Sequence, residues 1–356
     1  MDTATPKYVL VENHIKKAIK KKIITDKLPG ERTLAKELGF SYMTIRKAID
    51  NLVSEGLLYK VPTKGTFVST KKKTKRNKTL NIGYFLDKSV VAGISSPYYS
   101  LIFHAIEKEA SKHNYSLVYF SDVSENKLRK VLKKLDGVIA TCMPRVENII
   151  QEIKESVPVV VLDNSAADKT IPSVILDNYN ADVESVDYIC SLGHKRIGFM
   201  TGLADSDVGK NRYAGYQHGL SKNGLALDES LVFRGDYSFR SGLKGAEYFL
   251  SLQDRPSAII CANDSMAIGA MRWLHQVGVK VPEEMSIVGF DDIEVASQIV
   301  PALTTVAVPI NEIAEISVAM LKDLMLGKPL KSHHVALPAH LAIHQTCAEI
   351  AEHAAA

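Results

Sequence analysis

Residues 37–60 of the chain read ELGFSYMTIRKAIDNLVSEGLLYK and predict an amphipathic helix followed by the start of a strand. The apolar residues recur at helical spacing and fill one face of this helix: Ile45, Ala48, Ile49, Leu52 and Val53. The other face carries large and polar side chains: Tyr42, Met43, Arg46, Lys47 and Asn51. Most amphipathic helices only cover a core and leave their outer charges to solvent. The neighbouring sequence is therefore needed to establish whether this outer face has a role.

Two more helices and a hairpin surround this segment. The pattern predicts one helix over residues 8–24 and a second over ERTLAKEL, residues 31–38. Gly39 can end the second helix and Ser41 can cap the third, and this short step is typical of a helix-turn-helix. The run LLYKVPTKGTFVS, residues 57–69, predicts two short strands joined as a wing. Residues 1–70 are thus predicted to form a winged helix-turn-helix domain that binds DNA.

Charge is divided unevenly along the chain. Residues 1–79 hold 19 Lys and Arg against 7 Asp and Glu, a net charge of +12, whereas the other 277 residues hold 25 against 33, a net charge of −8. A basic module on an acidic body favours a polyanion as partner, although a solvated lysine-rich surface is the plainer alternative. Residues 71–79 are predicted to be a basic linker, which either adds phosphate contacts or serves only as a tether.

The run from Leu28 to Val68, LPGERTLAKELGFSYMTIRKAIDNLVSEGLLYKVPTKGTFV, resembles the GntR-type winged helix. The resemblance covers both helices of the helix-turn-helix and the wing. It implies DNA contacts, in the major groove for the residues that open the third helix, by Arg32, Ser41, Tyr42, Met43, Thr44, Arg46, Lys64 and Gly65. The family usually has Arg or Lys where Tyr42 stands and a small polar residue at Met43. Because Tyr and Met suit apolar contact with thymine methyl groups, the preferred DNA site is expected to differ from the usual family sites.

From Leu80 onward, short apolar runs alternate with amphipathic segments. The runs are LNIGYFL, SLVYF, DGVIA, VPVVVL, RIGFM, AIICA and SIVGF. Repeated strand–helix units predict an α/β fold with parallel sheets covered on both faces. Residues 80–346 exceed one small sheet, so two lobes are expected, with ligands at the carboxyl ends of the strands.

Several stretches of this region resemble the effector domain of the LacI/GalR family, which is itself similar to periplasmic sugar-binding proteins. They are LGHKRIGFMTG, NRYAGYQHGL, CANDSMAIGAM, GVKVPEEMSIVGFDD and PALTTVAVP. A GntR-type head on a LacI-type body looks like the AraR-type group of bacterial repressors. The resemblance implies a two-lobed, Rossmann-like effector-binding and dimerisation domain. It implies effector contacts by Tyr98, Tyr99, Thr141, Asp163, Arg212, Tyr237, Asn263 and Asp291.

The chemistry of these side chains suits a polyhydroxylated ligand. Asp163 and Asp291 supply acceptors, Asn263 an amide and Arg212 a rigid fork of donors, while the tyrosines can stack on a sugar ring. Two plainer interpretations remain open. An Asp or Asn at a strand end can cap a helix or a turn, as Asn263 or its neighbour could. Arg212 and Asp291 could also form a purely structural ion pair.

Other classes of protein find little support in the sequence. No secretory signal segment, membrane-spanning run, phosphate-binding GxxxxGK, GxSxG or HExxH is present. The four cysteines, Cys142, Cys190, Cys261 and Cys347, form no CxxC pair and suit a reducing cytoplasm. The run HLAIH, residues 340–344, has two histidines but no glutamate, and its pattern favours a final strand over a metal site. We expect neither a cofactor nor a metal.

The sequence therefore predicts a cytoplasmic, ligand-responsive transcription regulator rather than an enzyme. We expect a homodimer that represses carbohydrate-utilisation genes and leaves double-stranded operator DNA when a small sugar-like effector binds. The alternative is a sugar-binding solute receptor or a ligand-sensing module without a role in transcription. Residues 347–356 are expected to form a C-terminal tail.

Overall fold

The computed structural model of the chain describes residues 6–21, 23–54, 57–61, 64–68, 79–87, 90, 92–121, 125–141, 147–203 and 206–350. Residues 71–78 of the predicted linker and Cys142 lie outside these ranges. The contacts divide the chain into two compact units, with the boundary between residues 77 and 78. We call residues 1–77 the head and residues 78–356 the body.

The head consists of three helices and a two-stranded hairpin. Its elements are α1 (Lys7–Lys20), α2 (Glu31–Leu38), α3 (Tyr42–Ser54), β1 (Leu58–Val61) and β2 (Gly65–Val68). The two strands are antiparallel, with Leu58 opposite Val68. Gly39 ends α2 in the left-handed conformation, and the Ser41 hydroxyl accepts the Thr44 N–H at 3.2 Å before α3. The predicted winged helix-turn-helix is confirmed.

The core of the head is built from the apolar faces of its helices. The side chains that are buried together include Val11, Ile15, Leu34, Ile45, Ala48, Ile49, Leu52 and Leu58. One residue that the helical pattern assigned to the outer face is engaged elsewhere. The Asn51 amide donates to Glu12 Oε1 at 2.6 Å, so it ties α3 to α1 instead of facing outward. Helical periodicity alone does not reveal that a polar residue on the flank of one helix contacts a neighbouring helix.

The body contains two six-stranded sheets. The first has the order β13 (His334–Leu337), β7 (Ser173–Leu176), β6 (Val159–Leu162), β5 (Gly137–Thr141), β3 (Asn81–Phe85) and β4 (Ser116–Phe120), all parallel. The second has the order β14 (His340–Ala342), β12 (Thr304–Ala307), β11 (Ser286–Asp291), β10 (Ala258–Cys261), β8 (Ile197–Thr201) and β9 (Val232–Arg234), and only β14 runs antiparallel to its neighbour. The predicted α/β fold with two parallel-sheet lobes is confirmed.

Helices accompany each sheet. With the first sheet go α4 (Pro97–Ser111), α5 (Glu125–Leu132), α6 (Glu147–Ser156) and α12 (Ile310–Met325). With the second go α7 (Asn178–Ser191), α8 (Asp207–Lys222), α9 (Phe239–Ser251), α10 (Asp264–Gln276) and α11 (Glu294–Gln298). Short 3₁₀ turns span Gly93–Ser95 and Glu229–Leu231. None of the helices within the described ranges is long and apolar enough to cross a membrane.

Both faces of each sheet are buried, because successive residues of a strand enter different cores. In β6, Val160 and Leu162 join one core while Val159 and Val161 join another. In β10, Ile259 and Cys261 lie in one core and Ile260 in the other. This two-sided burial explains why these strands read as continuous apolar runs and not as alternating ones.

The chain passes between the two lobes three times. It leaves the first lobe after β7, returns after β12 to form α12 and β13, and leaves again to form β14. The described end of the chain is then anchored on the second lobe. The Ile350 N–H donates to the Leu192 carbonyl at 2.9 Å, and His194 Nε2 lies 3.0 Å from the Ala348 carbonyl oxygen.

Candidate functional site

The head presents the predicted DNA contacts on its surface. Seven of the eight residues are exposed, Arg32, Ser41, Tyr42, Met43, Arg46, Lys64 and Gly65, and Thr44 is half-buried. The apolar side chains of Tyr42 and Met43 are 42% and 68% exposed at the start of α3. Large apolar groups left open at the leading end of a recognition helix are available to base edges and methyl groups.

The cations around this surface differ in whether they already form ion pairs within the head. Lys60 donates to Asp50 at 2.7 Å and lies 3.4 Å from Glu31, and the hydrogen bond to Asp50 raises the pKa of its ammonium group. Arg32 and Arg46 have no ion-pair partner among the described residues. Their guanidinium groups can therefore meet phosphate or guanine without first breaking an ion pair.

The tip of the wing requires a glycine. Gly65 has a φ of 112°, and a Cβ added there would lie 3.1 Å from Cε of Lys27. Only glycine adopts this conformation without strain. The turn places the exposed Lys64 beside a backbone with no side chain, which allows close approach to a phosphate.

The body holds a cavity of about 220 Å³ between its two lobes. Seven of the eight predicted effector residues line it: Tyr98, Tyr99, Asp163, Arg212, Tyr237, Asn263 and Asp291. Asp163 directly follows β6, Asp291 ends β11, and Asn263 comes two residues after β10. The parallel strands of both sheets thus bring these side chains to one place, as their carboxyl ends should.

The eighth predicted residue, Thr141, is not among the lining residues. It is buried at the end of β5, where its hydroxyl donates to the Phe85 carbonyl at 3.3 Å and accepts the Asp87 N–H at 3.4 Å. These bonds link β5 to β3 and to the residues that follow it. The structure therefore gives Thr141 a role within the sheet and does not bring it to the cavity.

Arg212 is held rigidly at the cavity wall. Its Nε donates to Asn178 Oδ1 at 2.8 Å, its Nη1 donates to the Ala262 carbonyl, and its guanidinium carbon lies 3.4 Å from the centre of the Phe290 ring. Asp291 Oδ1 lies 3.8 Å from Nη2, which is an ion pair but too long for a hydrogen bond. Both side chains are buried. Because no hydrogen bond joins them, Asp291 keeps the capacity to accept one from a ligand.

Asp163 is oriented by a neighbouring tyrosine. The Tyr98 hydroxyl donates to Asp163 Oδ1 at 3.0 Å. Burial raises the pKa of Asp163, although the hydrogen bonds from Tyr98 and Tyr99 and the charge of Arg212 lower it. Burial likewise raises the pKa of Asp291 well above its usual value, and Arg212 opposes this. Two carboxyls with raised pKa values in one cavity are typical of a functional site.

Asn263 both caps a helix and lines the cavity. Its side-chain oxygen accepts the Met266 N–H at 2.9 Å at the start of α10, and its amide donates to the Tyr237 carbonyl at 3.1 Å. The neighbouring Asp264 instead accepts the Ile293 N–H at 2.9 Å and the Thr305 hydroxyl at 2.5 Å. The plainer interpretation of Asn263 as a cap is therefore correct, and it coexists with a place in the cavity wall.

Backbone strain is concentrated at this cavity. Seven non-glycine residues among those described have a positive φ, and four of them line the cavity: Ala92, Asp163, Tyr237 and Asp291. A Cβ at Gly202 would overlap the ring of Tyr237, so this tyrosine needs a glycine beneath it. Such strain persists only where the surrounding structure enforces it, and it marks functional sites.

Sequence reasoning missed three polar residues at the cavity or close behind its wall. Asn178 and Asp236 line the cavity. Asp182, one turn after Asn178 in α7, is fully buried, and neither of its carboxylate oxygens has a hydrogen-bond partner within the described structure. Burial raises the pKa of Asp182 to about 8, although the charge of Arg212 lowers it. No group of three or more potential ligands placed to hold a metal ion occurs within the described ranges.

Comparison with known proteins gives matches for both units. Residues 7–68 match the model of bacterial regulatory proteins of the gntR family, and residues 186–347 match that of the periplasmic binding protein-like domain. Over 251 residues the chain is 31% identical to the HTH-type transcriptional repressor CytR of Escherichia coli, covering 68% of this chain and 73% of that protein. Over 247 residues it is 32% identical to the HTH-type transcriptional regulator AscG of Escherichia coli, covering 67% and 72%.

One solved structure with a similar body is a sugar-binding transcriptional regulator of the LacI family from Escherichia coli, complexed with phosphate. It aligns with a TM-score of 0.63 and 28% identity over 76% of this chain and 99% of that chain.

Proposed function

This chain belongs to the LacI/GalR family of transcription regulators, with a GntR-type DNA-binding head, and we propose that a sugar-like effector releases it from its operator. The observation that carries this proposal is the cavity between the lobes. Its acidic, amide and guanidinium groups meet tyrosine rings in a body whose relatives are repressors. The chain is a regulator and not an enzyme, since the relatives are transcription regulators.

The composition of the cavity favours a carbohydrate. Asp291 offers a buried acceptor, and the ring of Tyr98 packs edge-on against that of Tyr99 with centroids 5.1 Å apart. Hydroxyl groups of a sugar can donate to the carboxylates while its apolar face meets an aromatic ring. A solved LacI-family regulator with a similar body is described as sugar-binding, which supports the same class of ligand here.

We infer that binding favours a closed arrangement of the lobes and so lowers operator affinity. The cavity walls come from both lobes, so a ligand that contacts both stabilises the arrangement in which they are close. A ligand changes operator affinity only to the extent that it distinguishes the two arrangements.

We further propose that the protein acts as a homodimer. The second lobe carries a groove of mixed lining. Its apolar residues include Met271, Val279, Ile299, Val300 and Pro301, and its polar residues are Arg272, His275, Lys280 and Glu283. The Val300 side chain is 92% exposed there, which is unusual for a large apolar residue in a folded domain. Its proposed occupant is a second copy of the chain, because two winged-helix heads are needed to read the two halves of a symmetric operator.

The proposed site of action is the cytoplasm, where operator DNA is found and where free cysteines stay reduced. Cys190, Cys261 and Cys347 are all free, and Cys261 is fully buried. The alternative of a solute receptor without a role in transcription is not favoured, because residues 7–68 match a DNA-binding family.

The DNA-binding half of the proposal is tested with Arg46→Ala in the full-length protein. Preferred sites are first selected from a random duplex library, and affinity for the best duplex is then measured by fluorescence anisotropy. Because Arg46 lies exposed on the recognition helix, we expect the loss of about 1–3 kcal/mol of specific binding. Lys20→Ala, which removes an exposed cation from α1, is the control and should weaken binding far less. Equal affinities of Arg46→Ala and the unsubstituted protein would contradict the assigned role.

The effector half is tested by a thermal-shift screen across mono- and disaccharides, followed by the same anisotropy assay. A ligand that binds only the folded protein raises its melting temperature. We expect at least one uncharged sugar both to stabilise the protein and to release the duplex. A sugar that stabilises the body without changing DNA affinity would contradict the proposed coupling.

A further inference from the structure

The cavity carries an excess of acidic groups over basic ones. Among the described residues, three carboxyls line it, those of Asp163, Asp236 and Asp291, against one guanidinium, that of Arg212. A ligand in the cavity therefore meets more carboxyl groups than guanidinium groups.

Arg212, the one cation among the described residues that line the cavity, is already engaged by the protein. Arg212 donates through Nε to Asn178 and through Nη1 to the Ala262 carbonyl, and it stacks on Phe290. Only Nη2 points toward a charged partner, and that partner is Asp291 at 3.8 Å. An anionic ligand would have to compete with Asp291 for this one group, because the lining residues that the structure describes include no other cation.

The carboxylates, in contrast, retain capacity for a ligand. Asp291 accepts no hydrogen bond from the described residues and is held at a φ of 118°. At the rim, Asp236 Oδ1 accepts both the Ser238 N–H at 2.9 Å and the Ser238 hydroxyl at 2.6 Å. Although partial burial raises the pKa of Asp236, the hydrogen bonds from Ser238 lower it overall, so this carboxylate is ionised at neutral pH. A ligand entering the cavity therefore meets carboxyl oxygens that can accept hydrogen bonds from its hydroxyl groups.

We propose that the effector cavity takes a hydroxyl-rich ligand without negative charge and rejects sugar phosphates and sugar acids. This inference rests on the proposed function and adds the charge class of the effector. Asp163 determines this specificity on the first lobe, since Tyr98 fixes its carboxyl at 3.0 Å in the cavity wall. Asp291 and Asp236 act from the second lobe.

The test compares sugars that differ mainly in charge. The probes are glucose with glucuronate and glucose 6-phosphate, galactose with galacturonate, and ribose with ribose 5-phosphate. A uronate differs from its parent sugar by a carboxylate in place of a hydroxymethyl group, so size is nearly matched. Affinities for the full-length protein are measured by calorimetry at fixed ionic strength. We expect the uncharged member of the tightest pair to bind at least tenfold more strongly than its anionic partner.

Asp163→Asn separates charge from shape, because the amide keeps the size of the carboxyl. We expect it to reduce the preference for the uncharged member at least threefold. Asp254→Asn removes an exposed carboxylate outside the cavity and should leave the preference unchanged. If Asp163→Asn does not fold, Asp236→Asn at the rim is expected to shift the preference in the same direction.

An anionic sugar that binds more tightly than its uncharged partner would overturn this inference while leaving a sugar-responsive repressor intact. A preference that is the same in Asp163→Asn, Asp236→Asn and the unsubstituted protein would overturn it as well. Failure of every sugar of either charge to bind or to release DNA would instead contradict the proposed effector itself, and the inference with it.

Discussion

Asp182 allows a strong test of how the body is held together. It is fully buried in α7 with no hydrogen-bond partner for either oxygen among the described residues, and burial raises the pKa of its carboxyl to about 8. We predict that Asp182→Asn stabilises the body at neutral pH and removes part of its dependence on pH. The substitution keeps the shape of the side chain and removes the cost of keeping a buried carboxyl protonated at neutral pH.

The sign and size follow from the two states of the carboxyl. In the unfolded chain an Asp ionises with a pKa of about 4. Between about pH 4 and pH 8 the folded protein retains a proton that the unfolded chain has released, so the free energy of unfolding falls as the pH rises. At about 1.4 kcal/mol per pH unit, this group alone lowers the free energy of unfolding by about 3 kcal/mol between pH 5 and pH 7.5. Asparagine has no proton to lose, so the variant should avoid this loss.

The chain supplies its own probe for the measurement. Trp273, the single tryptophan, lies half-buried in α10 of the body, so its fluorescence reports the unfolding of this unit in urea. We expect the variant to gain about 3 kcal/mol more over the unsubstituted protein at pH 7.5 than at pH 5. Some slope should remain, because burial raises the pKa values of Asp163, Asp264 and Asp291 in the same direction.

The control is Asp254→Asn, which removes an exposed carboxylate and should leave the dependence on pH unchanged. A difference between Asp182→Asn and the unsubstituted protein that is the same at both pH values would refute the reasoning.

Two further predictions concern the surfaces. Tyr42→Arg should shift the selected DNA sites toward guanine at one position of each half-site without a large loss of affinity, because arginine pairs with guanine and the side chain is exposed at the start of α3; identical selected sites for both proteins would count against it. Val300→Asp places a charge among the apolar residues of the groove and should shift the protein toward monomer in sedimentation velocity. Leu227→Asp, at an exposed leucine outside the groove, is the matched control, and an unchanged mass for Val300→Asp would exclude the groove as the dimer contact.

Local patterns were enough to predict most elements of the fold. The helix α2 has the predicted bounds, and α3 begins at Tyr42, directly after the predicted cap Ser41. The seven apolar runs are all strands. In the central strands, such as β6 and β10, two-sided burial leaves a continuous apolar signature. The strands β7, β9 and β12 were not predicted. They are as short as β6 and β10 but include polar residues, so they do not form a purely apolar run.

The cavity was predicted by resemblance more than by periodicity. Seven of eight residues line it, and the exception, Thr141, ends a strand as Asp291 does but is used for hydrogen bonds within the sheet. Asp182 could not have been found from the pattern of α7. That helix is buried on several sides, so an Asp among its residues gives no local sign that it faces another helix.

The three passages between the lobes have a consequence for the order in which the protein can be made. The strand β13 completes the first sheet by pairing with β7, although Ser173 and His334 are 161 positions apart. The strand β14 completes the second sheet only a few residues later. A ribosome must therefore release nearly the whole chain before either lobe can close its sheet, whereas the head, with all its elements between residues 7 and 68, is ready early. During synthesis, a folded DNA-binding unit precedes the body that will control it.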